Sequence, residues 1–366
     1  MASGQRQPVK AERRPTGDHA SEPLGRGDTL VHVLGHPDCP LDVAAAAADA
    51  QVWNCHRFCK LLHHAGLRFV YYGLSGSRVR GGEVVDIGVA EPPWEYGSPR
   101  HESYTALLSE ALRQSHDARP CSRHLVCSLY GAAHSDVDCL GLPVIEPMVG
   151  YDHCWAPYRV FPSYAHQTVI YTLQADYVEN TRWFDTVIPH FVDPADYPLG
   201  GGSGGYALYL GRNAEDKGIS IAEEVCASAG IPLRTVHGGY WGKRKAGLIG
   251  DARVVFMPTL YLEPFGYVAI EAQMCGVPVL TTDWGAFAET VEHGVSGFRC
   301  RTEAEFLCGL ERVGGLDRER IRRRALGRYT IEAVMPEYTD YFDFVWNVHV
   351  NGGYYAANAL RHAFRR

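Results

Sequence analysis

The feature that most constrains this chain is an alternation of short apolar runs with helix-spaced stripes, several of them ended by glycine. Thr29 to Leu34 reads as a strand that stops at Gly35. From Gln51 to Ala65, the residues Val52, Cys55, Phe58, Cys59 and Leu62 fall on one helical face. Gly66 ends that stripe, and Arg68 to Gly73 reads as the next strand. A β–α–β unit implies a parallel sheet with helices over its faces. His124 to Tyr130 and Pro143 to Ile145 fit as further strands. The alternation restarts with a strand from Tyr206 to Leu210, a helix from Ile219 to Ala229 and a strand from Arg253 to Met257. A helix from Gly266 to Cys275 and a strand from Pro278 to Thr281 complete it. The predicted fold class is α/β, with two Rossmann-like domains facing a central cleft. Open α/β sheets bind ligands at the carboxyl ends of their strands, and both sets can face that cleft.

Four segments follow. Residues 1–28, rich in Arg, Pro, Gly and Asp, read as a disordered tail. Residues 29–195 are read as an N-terminal Rossmann-like domain and 196–330 as a C-terminal one. Residues 331–366 form a C-terminal helical segment, aromatic-rich between Ile331 and Trp346. The stretch Pro198 to Gly205 is glycine-rich but precedes a strand, whereas a phosphate loop follows one and opens a helix. It reads as a flexible linker. The alanine run from Ala44 to Ala48 extends a helix or lines a loop.

Charge and cysteine usage narrow the partners. With 42 acidic and 35 basic residues the formal charge is −7, the wrong sign for neutralising nucleic-acid phosphates. The 11 cysteines include no Cys-x-x-Cys pair, and Cys55 and Cys59 stand four positions apart. That favours a reducing, cytoplasmic setting over a disulfide framework or a structural zinc. No apolar stretch approaches the roughly 20 residues of a membrane span, which leaves peripheral membrane contact open. No His, Cys or Asp cluster has metal spacing, so neither a metal nor a cofactor is expected.

The segment Pro258 to Gly297 carries the chemistry. Glu263 lies in a loop after a buried strand, and a helix is predicted to begin near Gly266. The N–H groups of Phe265, Gly266 and Tyr267 would then point into the cleft, a ready site for a diphosphate. Glu271 sits among Ala269, Ile270, Ala272 and Met274, an unusually apolar setting for an idle carboxylate. It is expected roughly on the face shared with Glu263. Two carboxylates beside phosphates would repel them unless they bind hydroxyls, which points to a nucleotide sugar. Gly211, Arg212 and Lys217 follow the first strand of the second half, and the two cations could hold phosphate oxygens. In the first half His36 and His134 follow strands, although the chain has 17 histidines and a hydrogen-bonded role is equally open. Glu146 and Asp152 are weaker candidates, better read as loop residues.

These residues bring a resemblance into view. Glu263 to Glu271 resembles the E-x7-E motif of the GT-B glycosyltransferase group that includes glycogen synthase and sucrose synthase. Cys275-Gly276-Val277-Pro278-Val279, Asp283, Gly285 to Glu289 and Gly294 to Phe298 fit the same pattern, as do Gly211-Arg212 and Lys217-Gly218. Val187 to Asp193 resembles that group's V-I-P-N-G-V-D stretch, with His190 in place of Asn. The resemblance implies that Glu271 binds the donor ribose and Glu263 the donor sugar near its reacting end. It implies that Arg212 and Lys217 hold the leaving diphosphate and that a histidine such as His36 or His134 lies near the sugar. It also implies retention of anomeric configuration, independence of metal, and a final helix that crosses back to the first domain. One departure is the segment Ile231 to Gly250, shorter than the strand and glycine-rich loop such enzymes have near the nucleobase. The expected partners are a nucleotide sugar and a glycan or other hydroxyl acceptor. An epimerase of the same fold, a non-catalytic sugar-nucleotide-binding subunit and a nucleic-acid glucosyltransferase are the rival readings.

Overall fold

The computed structural model describes residues 28–44, 49–89, 95–174, 184–240 and 242–353. The expected tail up to residue 27, most of the alanine run and the end of the C-terminal segment lie outside the described residues.

The first half is a seven-stranded parallel sheet in the order β3-β2-β1-β4-β5-β6-β7. In chain order its elements are β1 (Thr29–Leu34), α1 (Ala50–His64), β2 (Arg68–Gly73), β3 (Glu83–Asp86), α2 (Pro99–Ala118) and β4 (Arg123–Ser128). They continue with β5 (Val144–Glu146), β6 (Tyr158–Phe161), α3 (Tyr164–Leu173) and β7 (Thr186–Val187). Helix α1 forms where its stripe predicts. Asp49 caps it by accepting the Gln51 and Val52 N–H groups, and Val52, Cys55, Phe58, Cys59 and Leu62 are buried. Strands β1 and β4 are neighbours while β2 lies on the other side of β1. The sheet's switch point therefore falls at the ends of β1 and β4.

The second half is a five-stranded parallel sheet in the order β12-β11-β10-β8-β9. It contains β8 (Ala207–Leu210), α4 (Ile219–Ala229), β9 (Leu233–Val236), α5 (Gly242–Asp251), β10 (Val254–Met257) and α6 (Tyr267–Met274). After these come β11 (Val279–Thr282), α7 (Phe287–Thr290), β12 (Gly297–Cys300), α8 (Glu303–Arg312) and α9 (Arg318–Leu326). The segment between Ile231 and Gly250, short as it is, supplies both an edge strand and a helix. Here the switch point lies between β8 and β10.

The glycine-rich stretch is not a free tether. Gly200, Gly202 and Gly204 donate their N–H groups to Cys275, Gly250 and Asp251 at 2.9, 3.0 and 2.9 Å. A Cβ on Gly200 would lie 2.2 Å from the Gly250 carbonyl oxygen, so only glycine allows this approach. The chain crosses between the halves elsewhere, around Ile188 to Val192 and again around Tyr329. The two crossings touch, with the Val192 N–H donating to the Tyr329 carbonyl at 2.9 Å. After the second crossing α10 (Ile331–Val350) begins, capped by the Thr330 hydroxyl. Its buried residues Val334, Tyr338, Phe342 and Val345 join the cluster of Val31, Val33 and Phe58 from β1 and α1. No helix among the described residues is long and apolar enough to cross a membrane.

Candidate active site

Two cavities flank the start of α6, and Tyr267 lines both. The first, about 190 Å³, sits at the switch point of the second sheet, where Gly211, Lys217, Thr259, Glu263 and Gly266 surround it. Gly266 is the residue before α6 and has φ 84°, a left-handed conformation that glycine adopts without strain. The first N–H groups of a helix have no intrahelical acceptor, and they carry the positive end of its dipole. Lys217 adds a full charge. Its Nζ lies 3.0 Å from Glu263 Oε2 and also contacts the Tyr261 hydroxyl, which donates to Glu263 Oε2 at 2.8 Å. Gly285 backs Glu263, whose carbonyl accepts the Ala286 N–H at 2.9 Å. A cation, a carboxylate and a helix N-terminus thus meet within one small space.

The second cavity, about 320 Å³, lies between the halves, with Glu271 and Lys245 on one wall and Trp53, Arg57 and Lys60 of α1 on the other. Glu271 is 2% exposed. One carboxylate oxygen accepts the Tyr197 hydroxyl at 2.7 Å, and the other lies 2.6 Å from Lys245 Nζ. The second contact has ion-pair distance but poor hydrogen-bond geometry, since Oε2 has no hydrogen-bond partner. Glu263 and Glu271 therefore do not share a face. Glu263 precedes the helix, and the two carboxylates look into different cavities on either side of Tyr267.

Other expectations change in the same way. Arg212 is directed to solvent, with a side chain 67% exposed and paired to Asp216 at 3.1 Å, rather than into the cleft. The Phe265 side chain is core, packed edge-on to His190, Tyr267 and Tyr329, so only its backbone could meet a ligand. His134 is wholly buried. Its Nε2 lies 2.9 Å from the Gly35 carbonyl and its Nδ1 2.9 Å from Ser128 Oγ. Burial pulls its pKa down to about 3, so it stays neutral. A histidine with both nitrogens engaged inside the protein has no atom left for a substrate, and the expected catalytic role does not fit this placement. His36 is better exposed. Its Nδ1 accepts the Asp38 N–H at 2.9 Å, its Nε2 faces Asp49 at 3.7 Å, and it lines neither cavity. Glu146 is fully buried and accepts N–H groups from Trp155 and Ala156 at 2.9 and 3.0 Å. Burial raises its pKa to about 7. It braces a loop, the role preferred for it from sequence. Asp152 is exposed, 3.3 Å from His153.

The residues missed from sequence are Tyr197, Lys245, Tyr261, Asn54 and Arg57. Trp53, Arg57 and Lys60 do have a signal, a polar stripe opposite the apolar face of α1. The Tyr267 hydroxyl donates to Asn54 Oδ1 at 2.7 Å, which ties the second half to α1. Among the described residues no group of three or more His, Cys, Asp and Glu could hold a metal ion.

Residues 222–306 match the family described as Glycosyl transferases group 1. Sucrose synthase 2 of Pisum sativum is 44% identical over 50 residues, 14% of this chain and 6% of that protein. The chain thus aligns with only a small part of this curated relative. Solved structures are similar over most of the chain. Sucrose-phosphate synthase of Thermosynechococcus elongatus has a TM-score of 0.64 at 15% identity, covering 87% of this chain and 99% of that one. Anabaena Alr3699/HepE in complex with UDP-glucose has a TM-score of 0.58 at 13% identity, covering 86% and 99%. The fold is that of GT-B glycosyltransferase structures, two parallel-sheet α/β domains.

Proposed function

We propose that this chain transfers a glycosyl group from a nucleoside-diphosphate sugar to an acceptor hydroxyl, with retention of anomeric configuration. The observation that carries the proposal is the meeting of Lys217, Glu263 and the N-terminus of α6 at the switch point of the second sheet. That arrangement suits a diphosphate, with Glu263 left to accept sugar hydroxyls. The family match over residues 222–306 agrees with it.

In this reading the diphosphate lies against the Gly266 end of α6 and Lys217, and the ribose hydroxyls reach Glu271 around Tyr267. Arg212 swings in from Asp216 when phosphate is present. The bond between the anomeric carbon and the phosphate oxygen breaks through an oxocarbenium-like transition state. The acceptor oxygen bonds to the same face, and its proton passes to the departing phosphate oxygen. Lys217 and the α6 dipole act most strongly where charge grows on the leaving group. Glu146, one of the two carboxylates considered as a base for an inverting path, is enclosed by the loop it braces. No metal is needed where Lys217 and α6 already supply positive potential, and activity should survive a chelator.

The test is a thermal-shift screen of nucleotide sugars to find the donor, followed by proton NMR of the product from an α-linked donor. An α-linked product, formed equally well in EDTA, is expected. A β-linked product overturns retention, and conversion of the donor with no acceptor present overturns transfer.

A further inference from the structure

The cavity beside Glu271 has a wall that the second domain does not supply. Along α1, Trp53, Arg57 and Lys60 face it. Three long cations reach this cavity. Lys60 pairs with Asp193 and Lys245 with Glu271. Arg57 has no carboxylate within ion-pair distance among the described residues. Its guanidinium lies instead 4.3 Å from the centroid of the Tyr267 ring and 5.4 Å from that of Trp53. One side-chain hydrogen bond from Arg57 goes to Tyr267, and the other N–H donors of the guanidinium edge stay available. Tyr267 is itself held from the first domain through its bond to Asn54, which fixes this platform.

We propose that Arg57 reads the nucleobase of the donor and selects bases that present carbonyl oxygens, uracil or guanine, over adenine. The inference rests on the nucleotide-sugar reading above. If the diphosphate lies on the Gly266 side of Tyr267 and the ribose at Glu271, the base continues into the cavity that Arg57 lines. Guanidinium is donor-only. A carbonyl oxygen accepts from it, alone in uracil or beside N7 in guanine, whereas adenine offers only ring nitrogens, and beside N1 and N7 its exocyclic amine sets donor against donor. Sites built to hydrogen-bond one group reject analogues that lack it by more than apolar pockets can. The residue deciding the base would then sit on the first domain, and base selection would require the two halves to be together.

The experiment is calorimetric titration of the full chain with UDP, GDP, ADP and inorganic pyrophosphate, on the parent and on Arg57→Ala and Arg57→Lys. The parent should bind UDP or GDP at least about 10-fold more tightly than ADP, a difference of about 1.4 kcal/mol. Arg57→Ala should bring all three within about threefold, with ADP and pyrophosphate affinities unchanged, and Arg57→Lys should keep part of the preference. A merely structural Arg57 would weaken every nucleotide alike, and that outcome overturns the inference. So does an alanine variant that keeps the parent's preference among the three nucleotides. A parent that binds no nucleoside diphosphate defeats the donor reading itself, whereas a parent that binds all three equally defeats only the role of Arg57.

Discussion

The carboxylate of Glu289, in the second half, caps α3 of the first at Tyr164. Its Oε2 accepts the Tyr164 N–H at 3.0 Å and its Oε1 the Ala165 N–H at 2.8 Å. Ser163 adds a bond to the Pro264 carbonyl at 2.7 Å, two residues from the start of the α6 motif. A helix N-terminus thus finds its anion on the opposite domain. Glu289→Ala should lower the melting temperature by a few degrees, equivalent to about 1–2 kcal/mol. It should also increase the radius of gyration in small-angle scattering. An unchanged radius and unchanged stability would show that the contact does not hold the halves together.

Lys217→Ala should reduce turnover by about 100-fold or more while changing donor affinity far less, because the charge it meets grows in the transition state. Steady-state kinetics with a separate donor titration checks the split. Equal losses in affinity and turnover would assign Lys217 to ground-state binding only.

Glu271→Gln should weaken donor binding by about 10-fold or more and largely preserve the fold, since an amide can still accept the Tyr197 hydroxyl. Lys245→Met is expected to cost more stability, because it leaves a carboxylate that is 2% exposed without its cation, whereas Glu271→Gln leaves a lysine 16% exposed that can turn into the cavity; stranding a buried charge costs up to about 3–5 kcal/mol. Thermal melts of both variants, with and without donor, separate the binding defect from the stability defect.

His134 predicts a pH dependence with a definite sign. Its folded pKa lies near 3 against an ordinary 6.5, so between those values the unfolded chain binds a proton that the folded chain refuses. The contribution is whole above pH 6.5 and drains as pH falls toward 3, by on the order of 5 kcal/mol. His32, held near 3 mainly by burial and then by His124, adds a term of the same sign. Denaturant titrations at pH 7 and pH 4 should show a smaller gap for His134→Gln than for the parent. A His134→Gln variant with its kcat intact would also confine the residue to the scaffold.

The strands and helices with one clean apolar period were legible, which is why β1, α1, β2, β8, α4, β10 and α6 lie within a residue or two of expectation. Leu233 to Val236 was not, because an edge strand with no buried residue lacks the apolar signature that periodicity detects. At the site, Lys217, Glu263 and Gly266 could be read because each belongs to a local motif at the end of a strand. The partners of Glu271 and Tyr267 could not. Tyr197 stands just before the stretch read as a linker, Lys245 lies in the segment read as shortened, and Arg57 and Asn54 come from the other domain. Sequence spacing reports on neighbours along one element, whereas these contacts depend on how two sheets are set against each other. The directions of Arg212 and His134 were not legible for a related reason, since a strand-end position says nothing about whether a side chain turns out to Asp216 or in toward Gly35.

The two chain crossings, joined by the bond from Val192 to Tyr329, have a mechanical consequence. A single connecting strand is a swivel, about which a body can tilt, twist and slide. Two strands fastened side by side behave as a leaf hinge. They bend together about the line through both, and they resist torsion, because twisting would have to shear the 2.9 Å bond between them. Bending about that line is the motion this pairing favours. A hinge of that kind would bring the faces carrying Arg57 and Glu271 back in the same register.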